Sequence, residues 1–353
     1  MEKTLSEIDS KILAIIKEYG YGSRRTTTNF ESLAIEVFRF QFNFNRSYRE
    51  YCTKMGVEVN EVKTLNQIPV VSVNAYKDGT ISSTVPEIDQ GYYYATSGTS
   101  TGASGRIYRD PGFFELREEA IRTAGKKEMF FRFFPRKVPI VFLDFPNRRH
   151  SSNFQPHFSV LSNIQKFFGS ELSHFIDIKS IDGLETFVEL IKESQQENQK
   201  SVILGPSYKL SFLLSTLGEQ HDLRLPIGSM VMDSGGLKRQ SCHKSYAEYV
   251  DNLLITFGID RYDYINTYAL SEIGSQFSDN VRLRKSTICK QCPPWAKVRV
   301  VEKTACGETD CSPGEKGEVI IYDLLNRGSI LALQTHDLAV KTETGFQILE
   351  RGE

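Results

Sequence analysis

Between residues 138 and 269 the chain alternates short apolar runs with longer amphipathic ones, and this alternation constrains its fold more than any other feature. VPIVFLDF (138–145), SVILG (201–205), GSMVMD (228–233) and YDYINTYA (262–269) have the composition of buried strands. Between them, LETFVELIKE (184–193), YKLSFLLSTL (208–217) and AEYVDNLLITFG (247–258) carry apolar residues at helical spacing. Strands that are apolar on both faces and separated by helices form a mainly parallel sheet flanked by helices, an α/β fold. Such sheets bind ligands beyond the carboxyl ends of their strands, so the loops that follow these strands are where a site is expected.

The two ends of the chain read differently. The first residues, to roughly position 65, are helical in pattern. Thr4 and Glu7 have capping-box spacing, Leu5, Ile8, Ile12 and Ile15 follow at helical intervals, and Gly20 is a stop signal. A second apolar helix is expected from Phe30 to Phe42. This helical N-terminal segment reads as a lid packed on the core. After residue 285, AKVRVVE, GEVIIYD, ILALQTHDLAV and GFQIL are short strands with Gly and Pro between them, which predicts a small C-terminal β subdomain.

The segment YYYATSGTSTGASGRIYRD (92–110) carries the sharpest chemical signal. From Thr96 to Gly105 every residue is Gly, Ala, Ser or Thr. Gly98, Gly102 and Gly105 permit close backbone approach, and Ser97, Thr99, Ser100 and Thr101 add hydroxyl donors. Successive N–H groups in such a loop form an anion-binding nest, and Arg106 and Arg109 add positive charge nearby. The loop is neither a Walker loop, which needs a Gly-Lys-Ser/Thr ending, nor a dinucleotide G-x-G-x-x-G. The competing reading, a flexible linker, fits poorly with its place between an aromatic-rich strand and the helix that starts near Pro111.

Four of the six cysteines cluster late in the chain. Cys289-x-x-Cys292 and Cys306-x4-Cys311 have zinc-ribbon spacing, which predicts either a structural Zn²⁺ or four reduced thiols. Composition excludes other classes. The formal net charge of -1 gives no field that would attract nucleic acid. No run approaches ~20 apolar residues, so no membrane span is expected, and the N-terminus lacks a signal-peptide layout, which predicts a cytoplasmic protein.

TSGTSTG (96–102) resembles the Ser/Thr/Gly phosphate loop of the adenylate-forming superfamily, which includes acyl-CoA synthetases and luciferases. Three further segments match that superfamily in order. Ser234-Gly235-Gly236 is similar to its adenine-flanking glycine segment. Tyr268-Ala-Leu-Ser271-Glu272 is similar to its aromatic-x-x-Thr/Ser-Glu motif, and Leu333-Gln-Thr-His336-Asp337 to its late T-G-D motif. PPWAKVRVVE (293–302), GEKGEVIIYDLLN, SILALQTHDLAV and GFQIL resemble most closely the acyl-protein synthetase (LuxE) branch, and the likeness spans residues 65–350.

The resemblance implies an N-terminal-domain-like fold of that superfamily, with residues 1–285 as helical lid plus nucleotide-binding core and 286–353 as β subdomain and hinge. It implies ATP and Mg²⁺ as cofactors. Ser97–Gly102 would hold phosphates, Glu272 would carry Mg²⁺, and Asp337 would accept hydrogen bonds from the ribose. Tyr268 would stack on adenine beside Gly235 and Gly236, Ser271 and Arg106 would assist catalysis, and Arg351 would contact the ribose near the hinge. Read from residues alone, Glu272 also fits a surface carboxylate, Asp337 a turn, Gly235-Gly236 a tight turn and Tyr268 a core aromatic.

The implied activity is formation of an acyl-AMP from a small-molecule carboxylic acid, expected to be fatty, followed by transfer to a thiol. The loop reads SGTSTG where relatives show SGTTG, and no late catalytic lysine can be assigned. The segment FPNRRHSSNFQPHF (145–158), with Arg148, Arg149, His150 and His157, follows a strand and is a candidate acid pocket. The acceptor thiol is expected on a partner protein, such as a reductase, on a carrier or on a lost tail, with Cys242 as a further candidate. An acid-CoA or carrier-protein ligase of the phenylacetate-CoA ligase type and a non-catalytic nucleotide-binding module are the competing readings.

Overall fold

A computed structural model describes residues 1–20, 29–80, 82–85, 91–95, 105–144, 153–154, 156–217, 220–237, 245–304 and 307–350. The N-terminal helices are α1 (Glu2–Gly20), α2 (Phe30–Phe44) and α3 (Arg46–Lys54). Asn29 caps α2 by accepting the Glu31 N–H at 2.9 Å, and Asn45 caps α3 through the Tyr48 N–H at 3.0 Å. Helix α1 begins two residues ahead of Thr4, so the expected capping box lies inside the helix instead of at its start.

The chain then forms β1 (Val71–Ser72), β2 (Tyr92–Ala95), β3 (Arg106–Arg109), α4 (Pro111–Ala124), β4 (Ile140–Phe142), β5 (Asn153–Phe154), α5 (Pro156–Phe168), β6 (His174–Phe175) and α6 (Ile181–Gln196). It continues through β7 (Val202–Pro206), α7 (Ser207–Leu217), β8 (Met230–Ser234), α8 (Tyr246–Phe257), β9 (Tyr264–Tyr268) and β10 (Phe277–Ser278). Strands β11 (Ala296–Thr304), β12 (Gly307–Asp310), β13 (Lys316–Asp323), β14 (Ala332–Lys341) and β15 (Phe346–Glu350) complete it.

The expected parallel sheet is present, in the order β10-β9-β8-β7-β4-β6, with only β10 antiparallel. Its two faces are filled by alternate residues of one strand. Val231 points to the side of α6, α7 and α8, with Phe187, Leu213 and Leu253. Met230 and Met232 point to the side of α4 and α5, with Ile121, Ile164 and Phe168. A second sheet, β1-β14-β13-β11-β12 with β15 on the flank of β14, is antiparallel except where β1 joins β14 in parallel. A hairpin of β2 and β3, with β5 alongside, forms the third.

The N-terminal helical segment packs on α4, with Phe113 and Leu116, and on the second sheet. Ile12 and Ile16 of α1 and Phe38 of α2 share one apolar cluster with Val300, Ile320 and Leu333 of the second sheet. The β region after 285 therefore draws its core from the N-terminal helices. A buried ion cluster pins this arrangement. The Arg327 guanidinium meets Asp9 of α1 at 2.6 and 3.1 Å and Asp110, ahead of α4, at 2.5 and 2.7 Å. Burial alone would raise the Asp110 carboxyl, but the hydrogen bonds and charge of Arg327 hold it below its ordinary value. Arg327→Met strands two partly buried carboxylates and is expected to cost about 3–5 kcal/mol. Urea melts at pH 7 should show a midpoint shift of that size, and an unshifted midpoint would contradict the role.

No helix among the described residues is long and apolar enough to cross a membrane.

Candidate active site

The site forms at the carboxyl ends of β7, β8 and β9. Strand β8 ends at Ser234, and Gly235 turns the chain with φ +84°, a left-handed conformation that suits glycine. The Ser207 hydroxyl donates to the Ser234 and Gly235 carbonyls at 3.1 and 3.3 Å. Beneath the turn lies Asp233, fully buried. Burial raises its carboxyl, and donors from Tyr249 (2.7 Å), Tyr264 (2.9 Å) and Asn266 (2.7 Å) oppose that rise. Asn266 in turn accepts the buried Lys290 ammonium at 2.6 Å, and Lys290 pairs with Asp279 at 2.8 Å. The turn thus rests on a satisfied polar network, which fixes its backbone.

Strand alternation separates Thr267 from Tyr268 at the end of β9. Thr267, Ala269, Leu270 and Ser271 line a cavity of about 200 Å³, together with Ser234 and Gly235. Its far wall is apolar, built from Val160, Leu161 and Ile164 of α5 and Met232 of β8, with the buried Arg117 guanidinium at its side. Tyr268 faces the other way. Its ring is buried between Phe277 and Phe346, at 6.1 and 5.9 Å between centroids, and its hydroxyl donates to Asp337 at 2.5 Å. Tyr268 therefore reaches the site by orienting Asp337 and presents no open face to a base.

Glu272 is held from behind. Arg109, wholly buried, donates to the Ser271 and Glu272 carbonyls at 3.2 and 2.9 Å, and Asn326 donates to the Glu272 carbonyl at 2.9 Å. Arg109 is itself fixed by Asn326 Oδ1 at 2.8 Å and the Ser329 hydroxyl at 3.0 Å, over the Phe113 ring. Asp323 accepts the Gly274 and Ser275 N–H groups, each at 2.8 Å, and the Ser275 hydroxyl at 2.7 Å. Burial raises the Glu272 carboxyl, its own N–H and the charges of Arg109 and Lys77 lower it, and the charge of Asp337 raises it. Glu272 and Asp337, 65 positions apart in sequence, are therefore near enough in the fold for the charge of one to act on the carboxyl of the other.

Asp337 lies inside β14, next to a residue of unusual backbone conformation. Thr335 Oγ1 accepts its N–H at 3.2 Å, and His336, where the T-G-D pattern has glycine, adopts φ +61°. That backbone costs a non-glycine residue about 1–2 kcal/mol. The His336 ring is clasped by the Ser72 hydroxyl at 2.7 Å and Glu318 at 3.3 Å.

The other expected residues are distributed as follows. Ser97, Gly98, Thr99, Ser100, Thr101 and Gly102, together with Arg351, Cys242, Cys306, Arg148, Arg149 and His150, lie outside the described residues. The strands on either side of the 96–104 segment are paired, Ala95 with Arg106 at the end next to it and Tyr92 with Arg109 at the far end. Arg106 is exposed and stacks 4.2 Å over the Tyr93 ring. Gly236 follows Gly235 at the same turn.

The zinc ribbon is corrected. Among the described residues no three His, Cys, Asp or Glu side chains are grouped to hold a metal, although Cys289, Cys292 and Cys311 are all described. The Cys289 sulfur is taken up by the amides of Asn280 and Gln291 at 3.4 and 3.3 Å, and Cys311 donates to the Lys316 carbonyl at 3.3 Å. Sequence reasoning also passed over Asp323, Asn326 and Lys77. The signal for the first two was available: polar residues inside the apolar run IIYDLLNRGSILAL (320–333) must be satisfied internally.

The chain matches the family model described as acyl-protein synthetase, LuxE, over residues 3–342. It is similar to the long-chain-fatty-acid–luciferin-component ligase of Aliivibrio fischeri, with 24% identity over 349 residues, covering 96% of this chain and 85% of the relative. Among solved structures it is similar to a 2-hydroxyisobutyryl-CoA ligase in an open conformation, with TM-score 0.65 and 11% identity, covering 91% of this chain and 74% of the other. The same enzyme in its thioesterification state gives TM-score 0.65 and 13% identity, covering 91% and 67%. These solved structures share the fold.

Proposed function

Since the chain belongs to the acyl-protein synthetase (LuxE) family, we propose that this site activates a fatty acid with ATP and passes the acyl group to a thiol on a partner protein. The observation that carries this reading is a cavity with an apolar far wall, lined by Ser234, Gly235 and Ser271, with Glu272 next in the chain and Asp337 near enough to act on its carboxyl. In the first half-reaction a carboxylate oxygen of the acid attacks the α-phosphorus of ATP. An O–P bond forms, the bond to the bridging oxygen of the β-phosphate breaks, and pyrophosphate leaves. In the second, a thiolate attacks the acyl carbonyl, a thioester forms and AMP departs with the electron pair of the anhydride.

The protein's task is positioning and charge stabilisation. Asp337, oriented by the Tyr268 hydroxyl, accepts the ribose hydroxyls. The bare backbone of Gly235 and Gly236 lets the base lie close. Ser97–Gly102 cradle phosphates and Ser271 borders the reacting carboxylate. Glu272 fits a Mg²⁺ site: apart from its own N–H, no described donor reaches its carboxylate, and Mg²⁺ is held by one or two carboxylates with phosphate oxygens. Bound there, the ion would neutralise phosphate charge. An ATP requirement favours a cytoplasmic setting, and a reductase that consumes the thioester is the acceptor we favour.

The test uses purified protein, ATP, Mg²⁺ and radiolabelled tetradecanoic, hexanoic and benzoic acids. Acid-dependent formation of AMP and acyl-AMP is expected, with the straight-chain acids preferred. Absence of acyl-AMP with every acid overturns the reading. Label that moves to coenzyme A in preference to protein thiols would replace the acyl-protein assignment by that of a CoA ligase.

A further inference from the structure

One short segment, 71–77, touches three separate parts of the site. Its first residues form β1, in register with β14: Val71 opposite Leu333 and Ser72 opposite Gln334. The Ser72 hydroxyl then holds His336, the neighbour of Asp337. The chain makes a 3-10 turn over Val73–Tyr76, capped by the Ser72 side chain, which accepts the Asn74 N–H at 3.2 Å. The turn ends against Gly105, the last residue of the Gly/Ser/Thr loop. A Cβ at position 105 would lie 2.5 Å from the Tyr76 carbonyl oxygen and 2.8 Å from the Lys77 nitrogen, so glycine is required there for the two backbones to meet.

The segment delivers Lys77 to this junction. Its backbone is anchored, with the N–H bonded to the Asn74 carbonyl at 2.8 Å. Its side chain is half-buried, and no hydrogen bond or ion pair engages its ammonium among the described residues. Two cations send their charge to Glu272, Arg109 and Lys77. Arg109 is committed to the carbonyls of residues 271 and 272 and to Asn326 and Ser329. Lys77 is the uncommitted one among the described residues, a compact charge on a flexible stem. Its backbone stands where the loop ends, and its charge is felt at the buried carboxylate.

Resting on the ATP-dependent reading above, we propose that Lys77 is a catalytic residue of the adenylation step, its ammonium binding the phosphate oxygens of ATP that leave as pyrophosphate. As the acid oxygen bonds to the α-phosphorus and the bond to the bridging oxygen breaks, negative charge collects on the leaving group. A lysine held at the end of the loop meets that charge as it forms, which is where a fixed cation contributes most. The proton stays on the lysine, and no covalent bond to it is made.

The experiment compares wild type, Lys77→Met, Lys77→Arg and, as a control, Asp78→Asn at the exposed neighbouring position. Acid-dependent ATP–pyrophosphate exchange is measured, and calorimetric titrations follow binding of magnesium pyrophosphate and of AMP. Lys77→Met is expected to lower the kcat of exchange by about a hundredfold or more, in the range seen when one charge-stabilising donor is removed. Its pyrophosphate affinity should fall at least about tenfold while its AMP affinity stays within about twofold. Lys77→Arg should restore part of both, and Asp78→Asn should match wild type. A merely structural lysine would weaken AMP and pyrophosphate alike or neither. Exchange by Lys77→Met within about threefold of wild type, or equal loss of AMP and pyrophosphate binding, overturns the proposal while leaving the ligase reading intact. Absence of exchange in the wild type overturns that reading and this proposal with it.

Discussion

Glu272→Gln is expected to lower acid-dependent ATP–pyrophosphate exchange by at least about a hundredfold, with AMP binding nearly unchanged. The carboxylate sits 8% exposed on a turn whose backbone is fixed by Arg109, Asn326 and Asp323, so the amide will occupy the same place. What disappears is the negative charge proposed to meet Mg²⁺. The same variant should be slightly more stable than wild type, and the sign follows from linkage. Burial raises the folded Glu272 carboxyl above its ordinary value of 4.5, with Arg109, Lys77 and its own N–H opposing that rise. Below that ordinary value both folded and unfolded states carry the proton, and the charge has no effect on stability. As pH rises through it, the unfolded chain loses the proton first, so wild type is progressively destabilised until the folded carboxyl also ionises. The advantage of Glu272→Gln in thermal melts should therefore be absent near pH 4 and present at pH 7. Full exchange activity in the variant would remove Glu272 from the metal site.

Asp323→Ala should be among the most destabilising single changes in the chain. Its buried carboxylate accepts from the N–H groups of Gly274, Ser275 and Leu325 and from the Ser275 hydroxyl. Alanine leaves these donors unsatisfied, at about 1–3 kcal/mol each. Even with partial relaxation a loss of about 4 kcal/mol or more is expected, a large share of a domain's total stability. Asp323→Asn keeps one acceptor oxygen and should lose about half as much. Denaturant titration of both variants checks the order. If soluble Asp323→Ala is recovered with wild-type stability, the turn that carries Glu272 is held by something other than this carboxylate.

The parallel sheet and its helices were legible because their signal is local: runs of four or five apolar residues, then amphipathic stretches with a helical period. The late strands were legible for the same reason. Contacts between distant segments were not. That the first two helices pack on β11–β14 depends on which apolar face meets which, and both faces read alike in sequence. Tyr268 illustrates a signal that was present and unused. With Thr267 of β9 assigned to the cavity, the strand's period of two sends Tyr268 to the opposite face, towards Asp337. The cysteines illustrate a misleading signal. C-x2-C and C-x4-C spacings count residues along the chain, but β11 intervenes. Its mid-point residue Val300 accepts the Cys311 N–H at 2.9 Å, while Cys289 is bonded to Asn280 beside β10. Lys77 had no signature, since nothing in the stretch VSVNAYKDG announces that its turn will abut Gly105.

On the proposed function, Glu272, Asp337 and the 234–236 turn surround one nucleotide. A crystal structure of the protein with a non-hydrolysable acyl-sulfamoyl adenosine tests it most directly. The ribose hydroxyls are expected within about 3 Å of the Asp337 carboxylate, the base against Gly235 and Gly236, and the acyl chain between Met232 and Ile164. A nucleotide bound away from Asp337, or an acyl group outside the cavity beside Ser271, would contradict it.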